Sequence, residues 1–487
     1  MIPVLSVEEM RAADAKALER TSHAALVARA GRALGLVAAE LLRERRGRVA
    51  GARVTVLAGP GSNGADGTVA GRFLADRGAA VEVLAARPGP PAVGTGADLL
   101  IDAAYGTGFR GSYEAPELLG DPWVLACDIP SGVDGDTGAV SGRALAARAT
   151  VTFAAPKPGL LQGQGAELAG TVLVADIGVD PSRARAQLLE DADLAWLPGR
   201  PREAHKWQRA VAVVAGSPGM RGAAVLCARA AARAGAGMVR LGLPGVAEPS
   251  LPIGEAVAFS LPATDWAPAA LTLAERCRAL VLGPGLGRQE PTATAVRRVV
   301  AECPLPVVLD ADALFALGTA SEARALVNRR PRGGTDVLLT PHDGEASRLL
   351  GSAPGPDRLA AARRLAEASG CTCLLKGSTT VVAEPEGRAW LVTAGSPVLA
   401  TAGTGDVLAG VAGAFLAAGL PASQAGALAA HAHGRAAALG WSHGLVAGDL
   451  PELLARWLST AERAGPAPGP LPVAPLRTWL ATRRGWR

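Results

Sequence analysis

Val54-Thr55-Val56-Leu57-Ala58-Gly59-Pro60-Gly61-Ser62-Asn63-Gly64-Ala65-Asp66-Gly67 contains the chain's architecture in one short run. Five apolar, partly β-branched residues predict a buried strand, the glycines a tight turn, and the small residues after them the start of a helix. Doubly wound sheets are built from this strand–turn–helix unit, and phosphates collect at its turn. Gly59, Gly61 and Gly64 have the G-x-G-x-x-G spacing of a dinucleotide fingerprint, and Glu82 lies in the next apolar run; alone, this match is weak.

Further apolar runs follow at 81–85, 99–102, 124–128, 151–154 and 172–177, separated by helix-length segments, and residues 6–46 have helical spacing. The alternation predicts an α/β domain with a mostly parallel, doubly wound sheet. A polar, proline-containing stretch then leads to a second alternation, with runs at 211–215, 238–243, 280–283, 307–310, 337–340, 373–376 and 380–383. The expected organisation is therefore a domain over 1–180, a linker over 181–204, a second α/β domain over 205–462, and a Pro-rich, basic, loosely packed tail over 463–487.

At 487 residues the chain can bury a separate core in each domain. The net charge of +5, from 49 basic and 44 acidic residues, is mild and scattered. With aromatics at 3%, this argues against nucleic-acid binding. The six cysteines form no CxxC pair and read as reduced core thiols. No signal peptide or span-length apolar helix is apparent, so a cytoplasmic protein without membrane partners is expected.

In the first half, Asp102-Ala103-Ala104-Tyr105-Gly106-Thr107-Gly108-Phe109-Arg110-Gly111 and Asp128-Ile129-Pro130-Ser131-Gly132-Val133-Asp134-Gly135 each follow a predicted strand. Asn63, Asp102 and Ser131 would bring amide, carboxylate and hydroxyl oxygens to the sheet edge where ligands gather, an oxygen set suited to a hard cation. Asx-turns and N-caps are the plainer reading of each segment.

In the second half, Ala402-Gly403-Thr404-Gly405-Asp406-Val407 sets a glycine turn and a carboxylate at the start of an apolar helix. Such a turn holds phosphate charge, and the carboxylate can take a proton from an attacking hydroxyl. The alternative is a tight turn with Asp406 as N-cap. Residues 215–224 and Gly283-Pro284-Gly285-Leu286-Gly287 also end strands. His342, after Thr340-Pro341 and beside Asp343 and Glu345, is either a structural hydrogen-bonder or a ligand contact. Lys376-Gly377-Ser378-Thr379-Thr380 is no Walker A, yet it offers a lysine and hydroxyls to a nucleotide.

The segments GPGSNGADG, DAAYGTGFRG, CDIPSGVDGDTG and KPGLLQGQGAELAGTVLVADIG resemble the epimerase domain of the NAD(P)H-hydrate repair enzymes over about residues 3–178, and the later segments resemble the dehydratase domain of that family over about 205–457. The resemblance implies a Rossmann-like domain joined to a ribokinase-like one. The implied activity interconverts R- and S-NAD(P)HX, the hydrated cofactors, then dehydrates the S form with ADP, or ATP, and Mg²⁺. It implies that Ser62, Asn63, Gly64, Ala65, Asp66, the loop Gly106, Thr107, Gly108, Phe109, Arg110, Gly111 and Ser112, and Asp128 bind the hydrate. Asp128 would be the acid/base, and Asn63, Asp102 and Ser131 would hold K⁺. In the second domain it implies that Ala223, Gly285, Gly287, His342 and Asp406 meet the hydrate, with Asp406 catalytic. Lys376, Gly377, Ser378, Thr379, Thr380 and Gly405 would meet the adenine nucleotide. Homo-oligomers are common in the family.

Two departures stand out. The family's Asn-Asn-Gly-Gly-Asp is Ser62-Asn63-Gly64-Ala65-Asp66 here, and Ala65 would be strained if that position needs positive φ. The second domain opens His205-Lys206-Trp207 without the family's glycines. Two other readings remain: a ribokinase-type small-molecule kinase with a fused ligand-binding domain, and an active dehydratase carrying a catalytically dead N-terminal module.

Overall fold

The computed structural model describes residues 1–86, 92–93, 95–247, 254–331, 336–464 and 473–484. They form two compact units, one from Ile2 to Ala186 together with the chain's last described residues, the other from Gln187 to the helix ending at Ala464.

The first unit is one sheet in the order Val473–Pro475, Thr171–Ala175, Ala149–Phe153, Trp123–Cys127, Leu99–Ala103, Arg53–Ala58, Ala80–Ala85. Every neighbouring pair is parallel. The central strands are mostly apolar, with Leu99, Leu100 and Ile101 wholly buried, as a sheet covered on both faces requires. From Arg53–Ala58 the chain steps outward to Ala80–Ala85 and then returns to the other side. The carboxyl ends of Arg53–Ala58 and Leu99–Ala103 therefore flank the topological switch point, where a crevice opens. Residues 6–46 form two helices, Val7–Leu18 and His23–Arg46, capped by Ser6 and Ser22. Glycines at 31 and 35 let His23–Arg46 lie against the helix Ser62–Ala75. A Cβ at Gly31 would stand 2.5 Å from Val69 Cβ, and one at Gly35 2.7 Å from Phe73 Cδ1.

The tail differs from expectation. Val473–Pro475 extends the sheet beside Thr171–Ala175, and the helix Leu476–Arg484 follows, with Leu476 in the core. A proline is tolerated there because an edge strand need not donate on its outer side. The rest of the Pro-rich segment lies outside the described residues.

The second unit carries a sheet in the order Ala389–Val392, Thr380–Ala383, Thr372–Leu375, Val337–Leu339, Val307–Leu309, Ala279–Leu282, Ala210–Val214, Met238–Pro244, Ala256–Leu261. It is parallel from Thr372–Leu375 to Ala256–Leu261, and Thr372–Leu375, Thr380–Ala383 and Ala389–Val392 pair antiparallel in succession on the other side. The helix Thr404–Ala417 is almost entirely buried because glycines let it sink in. A Cβ at Gly410 would reach 2.2 Å from Cys227 O, and one at Gly413 2.2 Å from Val281 Cγ2. Those contacts seat the helix against the helix Arg221–Arg233 and the strand Ala279–Leu282. The stretch read as a linker packs from Leu189 onward: its N–H donates to Leu391 O, and Asp191 meets His431 at 2.7 Å and Arg435 at 2.7 Å.

All six cysteines are unpaired and buried. No helix among the described residues is long and apolar enough to cross a membrane.

Candidate active sites

The crevice of the first unit is a cavity of about 660 Å³. Ser62, Asn63, Asp66, Asp128 and the loop from Gly106 to Arg110 line it, whereas Gly64, Ala65, Gly111 and Ser112 do not. Gly64 has a packing role: a Cβ there would sit 1.9 Å from Gly59 O. Ala65 lies within the helix Ser62–Ala75, is absent from the positive-φ residues and donates its N–H to Gly61 O at 3.2 Å, so no backbone strain attaches to it. Ser62 Oγ is 2.9 Å from His23 Nε2.

Asp128 sits just past the strand Trp123–Cys127 at φ 66, a left-handed conformation that non-glycine residues adopt at a cost. Below it is a residue the sequence reading did not assign. Lys157 is wholly buried, and its Nζ donates to Asp128 Oδ1 at 2.6 Å, Thr152 Oγ1 at 3.0 Å and Phe153 O at 3.2 Å. All three ammonium hydrogens thus have acceptors, which satisfies a buried lysine. Asp66 faces the same cavity. Burial, and then the nearby Asp128 charge, push its carboxyl up to about 8. Asp14, also on the cavity wall, is raised by burial, with Lys157 opposing.

Asp102 and Ser131 lie beneath the cavity and are wholly buried. Ser131 donates to Asp102 through its N–H at 2.9 Å and its hydroxyl at 2.6 Å. No ion pair reaches Asp102 among the described residues; burial raises its carboxyl, and the Ser131 hydrogen bonds oppose that shift. Asn63 is not hydrogen-bonded to either, and its buried Nδ2 has no partner among the described residues. The structure therefore joins two of the three candidate cation ligands.

In the second unit, the helix Thr404–Ala417 begins at Gly403, φ 90, and no side chain caps it. Asp406 lies inside the first turn, so the N-cap reading of Asp406 is set aside and the helix start is open to an anion. Beside it, Lys376 Nζ donates to Asp310 Oδ1 at 2.8 Å and lies 3.9 Å from Glu345 Oε2. Thr340 Oγ1 donates to the same Asp310 oxygen at 2.8 Å. A Cβ on Gly405 would be 3.5 Å from Lys376 Nζ, so glycine leaves the ammonium open to the turn. Burial and Asp310 push the Asp406 carboxyl up to about 6, with Lys376 opposing and Asp312 adding to the rise. Burial would lower the Lys376 ammonium, but Asp310 and Glu345 outweigh it and the net shift is upward. Asp310 and Asp312 had no assigned role in the sequence, although Asp310 ends a predicted strand just as Asp102 and Asp128 do.

Ala223 and Gly285 come together: a Cβ on Gly285 would lie 3.1 Å from Ala223 Cβ. Gly287 N–H donates to Asp312 Oδ2 at 2.8 Å, and Asp312 in turn acts on Asp406. His342 is the N-cap of the helix Asp343–Leu350. Its Nδ1 accepts from Gly344 at 3.0 Å, and Glu345 reaches back to its N–H at 2.9 Å. The imidazole is 60% exposed, so it both caps and stays reachable by a ligand. In the turn after Lys376, Gly377 and Ser378 are exposed, Thr380 is half-buried and Thr379 is buried. Among the described residues no group of three His, Cys, Asp or Glu side chains is placed to hold a metal ion.

Residues 211–459 match the NAD(P)H-hydrate dehydratase family, and residues 23–95 and 90–159 match the YjeF-related protein N-terminus family. The chain is 38% identical to the bifunctional NAD(P)H-hydrate repair enzyme Nnr of Mycobacterium tuberculosis, over 87% of this chain and 90% of that one. The enzyme of the same name from Mycobacterium leprae is 37% identical over 93% and 97%. Among solved structures, the ADP/ATP-dependent NAD(P)H-hydrate dehydratase from Bacillus subtilis, co-crystallised with ATP/Mg²⁺, is 33% identical over 55% of this chain and 95% of that chain, with a TM-score of 0.47.

Proposed function

The chain belongs to the family of bifunctional NAD(P)H-hydrate repair enzymes, and from that premise we propose how its two sites divide the work. The enzyme epimerises R- and S-NAD(P)HX in its first unit and dehydrates the S form to NAD(P)H in its second. A dihydronicotinamide ring is an enamine, so hydration puts a proton on the carbon β to nitrogen and the hydroxyl on the carbon bonded to nitrogen. The nitrogen lone pair can therefore expel that hydroxyl. Returning water to the opposite face inverts the carbon; losing the β proton instead restores the cofactor.

In the first unit Asp128, held by Lys157, is the base that takes a proton at the hydroxylated carbon's oxygen. Ser62, Asn63, Asp66 and the loop from Gly106 to Arg110 hold the ring and its tail. Asp102, a buried carboxylate hydrogen-bonded only by neutral groups, suits a monovalent cation. With Ser131 and the Asn63 oxygen it would hold K⁺, whose charge would compensate the buried anion and brace the loops on either side.

In the second unit Asp406 takes the proton of the ring hydroxyl as its oxygen attacks the terminal phosphorus of ADP or ATP. The bond from phosphorus to the nucleotide breaks, and phosphate then leaves the ring far more readily than hydroxide would. Lys376 and the open helix start at Gly403 stabilise the charge in transit. The carboxylates around Lys376 are already engaged by its ammonium, so Mg²⁺ would arrive on the nucleotide's phosphates. The observation carrying this reading is Asp406 within the first turn of an uncapped helix, next to a lysine held at 2.8 Å by Asp310.

The test uses separated epimers. With ADP or ATP, both R- and S-NADHX should return the NADH absorbance; recovery from S alone, with R untouched, would remove the epimerase assignment. A second expectation follows from Asp406. As a base it must be ionised, and its carboxyl sits at about 6. The dehydratase kcat/KM should therefore fall as pH drops through about 6, approaching tenfold per unit below it. A rate that is flat from neutrality down to pH 5 would exclude this carboxylate as the base.

A further inference from the structure

We propose that Asp66 is the proton donor of the epimerisation, the acid that works opposite Asp128 on the same hydroxylated carbon. The inference rests on the epimerase reading above and assigns a second catalytic group to that site.

Asp66 stands one turn into the helix Ser62–Ala75, on the wall of the cavity that Asp128 and Lys157 also line. The glycine-mediated contact with His23–Arg46 presses this helix inward, leaving Asp66 only 6% exposed. Its Oδ1 has no hydrogen-bond partner among the described residues. A buried carboxyl oxygen with nothing to bond faces a ligand cavity, where a substrate hydroxyl would satisfy it.

The electrostatics then separate the two carboxyls. Asp128 is ion-paired with the Lys157 ammonium at 2.6 Å. Asp66 has no cation of its own, and burial together with the Asp128 charge keeps its proton on to about pH 8. The other charged or titratable groups facing the cavity are Arg11 and Asp14 from the first helix, His23 from the second, Tyr105 and Arg110 on the loop, and Lys157; the Cys127 thiol is buried behind it. None of them forms an ion pair with Asp66 among the described residues. One carboxyl paired with an ammonium and one without a cation, around a single cavity, form an arrangement by which enzymes run acid and base chemistry together.

The step balances. Asp66 delivers its proton to the ring hydroxyl, and the carbon–oxygen bond breaks with its electron pair leaving on water. The ring nitrogen lone pair forms a carbon–nitrogen double bond. Water then adds to the opposite face, a new carbon–oxygen bond forms, and Asp128 accepts the proton released. The proton returns to Asp66 through exchange with cavity water, and the reverse direction exchanges the two roles.

The experiment measures epimerisation of pure R-NADHX by full-length wild type, Asp66→Asn and Asp66→Glu across pH, with dehydration of S-NADHX as an internal control. Asparagine has the shape of the neutral acid but no proton to give. Asp66→Asn should lower the epimerase kcat on the order of 10²–10⁴-fold with KM little changed and dehydration intact. Wild-type kcat should fall as pH rises through about 8, Asp66→Asn should lack that limb, and Asp66→Glu should restore part of it. A wild-type kcat in Asp66→Asn, a loss confined to KM, or a kcat loss with the alkaline limb still present would each overturn the assignment. If wild type itself leaves R-NADHX unchanged, the epimerase reading has failed rather than the role of Asp66.

Discussion

Asp406→Ala is expected to abolish return of NADH from S-NADHX, a loss on the order of 10²–10⁴-fold or more, while R and S continue to interconvert at the wild-type rate. Alanine removes the base but spares the open helix start and the Lys376–Asp310 pair. The fold should not suffer electrostatically. The folded-state carboxyl lies at about 6, above the usual carboxylate range. Ionised Asp406 therefore costs stability, a cost absent at low pH that grows as pH rises through this range, and its removal at neutral pH relieves like-charge crowding with Asp310 and Asp312. The measurement is NADH absorbance with nucleotide in excess, beside chromatographic resolution of the two epimers. NADH returning at the wild-type rate would dismiss Asp406 as the base, and loss of both activities would show that the variant disturbs more than one site.

Lys157→Met is the counterpart in the first unit. Methionine fills the lysine's volume without its charge, leaving Asp128, whose side chain is 13% exposed, without the ammonium that pairs with it. Epimerisation should fall on the order of 10²–10⁴-fold, and dehydration of the S form should continue. Asp128→Asn should be harder on the fold, because it strands a wholly buried ammonium; breaking a buried pair from that side costs about 3–5 kcal/mol. The double variant, Lys157→Met with Asp128→Asn, should regain most of that stability and none of the activity, which urea unfolding and the epimer assay read separately. Stability losses that simply add would mean the two side chains are not coupled as the 2.6 Å contact requires.

The central strands were readable because parallel strands buried on both faces are unbroken apolar runs. The runs 54–58, 99–102 and 124–128 match Arg53–Ala58, Leu99–Ala103 and Trp123–Cys127 closely. Each run ends at the carboxyl edge that carries a site, so the neighbourhoods of Asp102 and Asp128 were legible too. The strand Val473–Pro475 was not, since three residues ending in proline have no period to detect. Lys157 was missed for a different reason: nothing in Pro156-Lys157-Pro158 distinguishes a lysine pointing inward, and only the acceptors at Asp128, Thr152 and Phe153 reveal it. His342 illustrates an ambiguity that local spacing can settle. Glu345, three residues on, completes a capping box, which makes the imidazole a helix cap whatever else it touches.

The edge strand Val473–Pro475 also bears on how the polypeptide is made. Because it pairs with Thr171–Ala175, the sheet of the first unit takes one of its strands from residues synthesised roughly three hundred positions later. Chains leave the ribosome amino end first, and domains generally fold as they emerge. Here the first unit must wait, with the outer edge of Thr171–Ala175 unpaired, while the whole second unit is translated. A stop codon that spared every residue of the second unit would still leave the first one open at that edge.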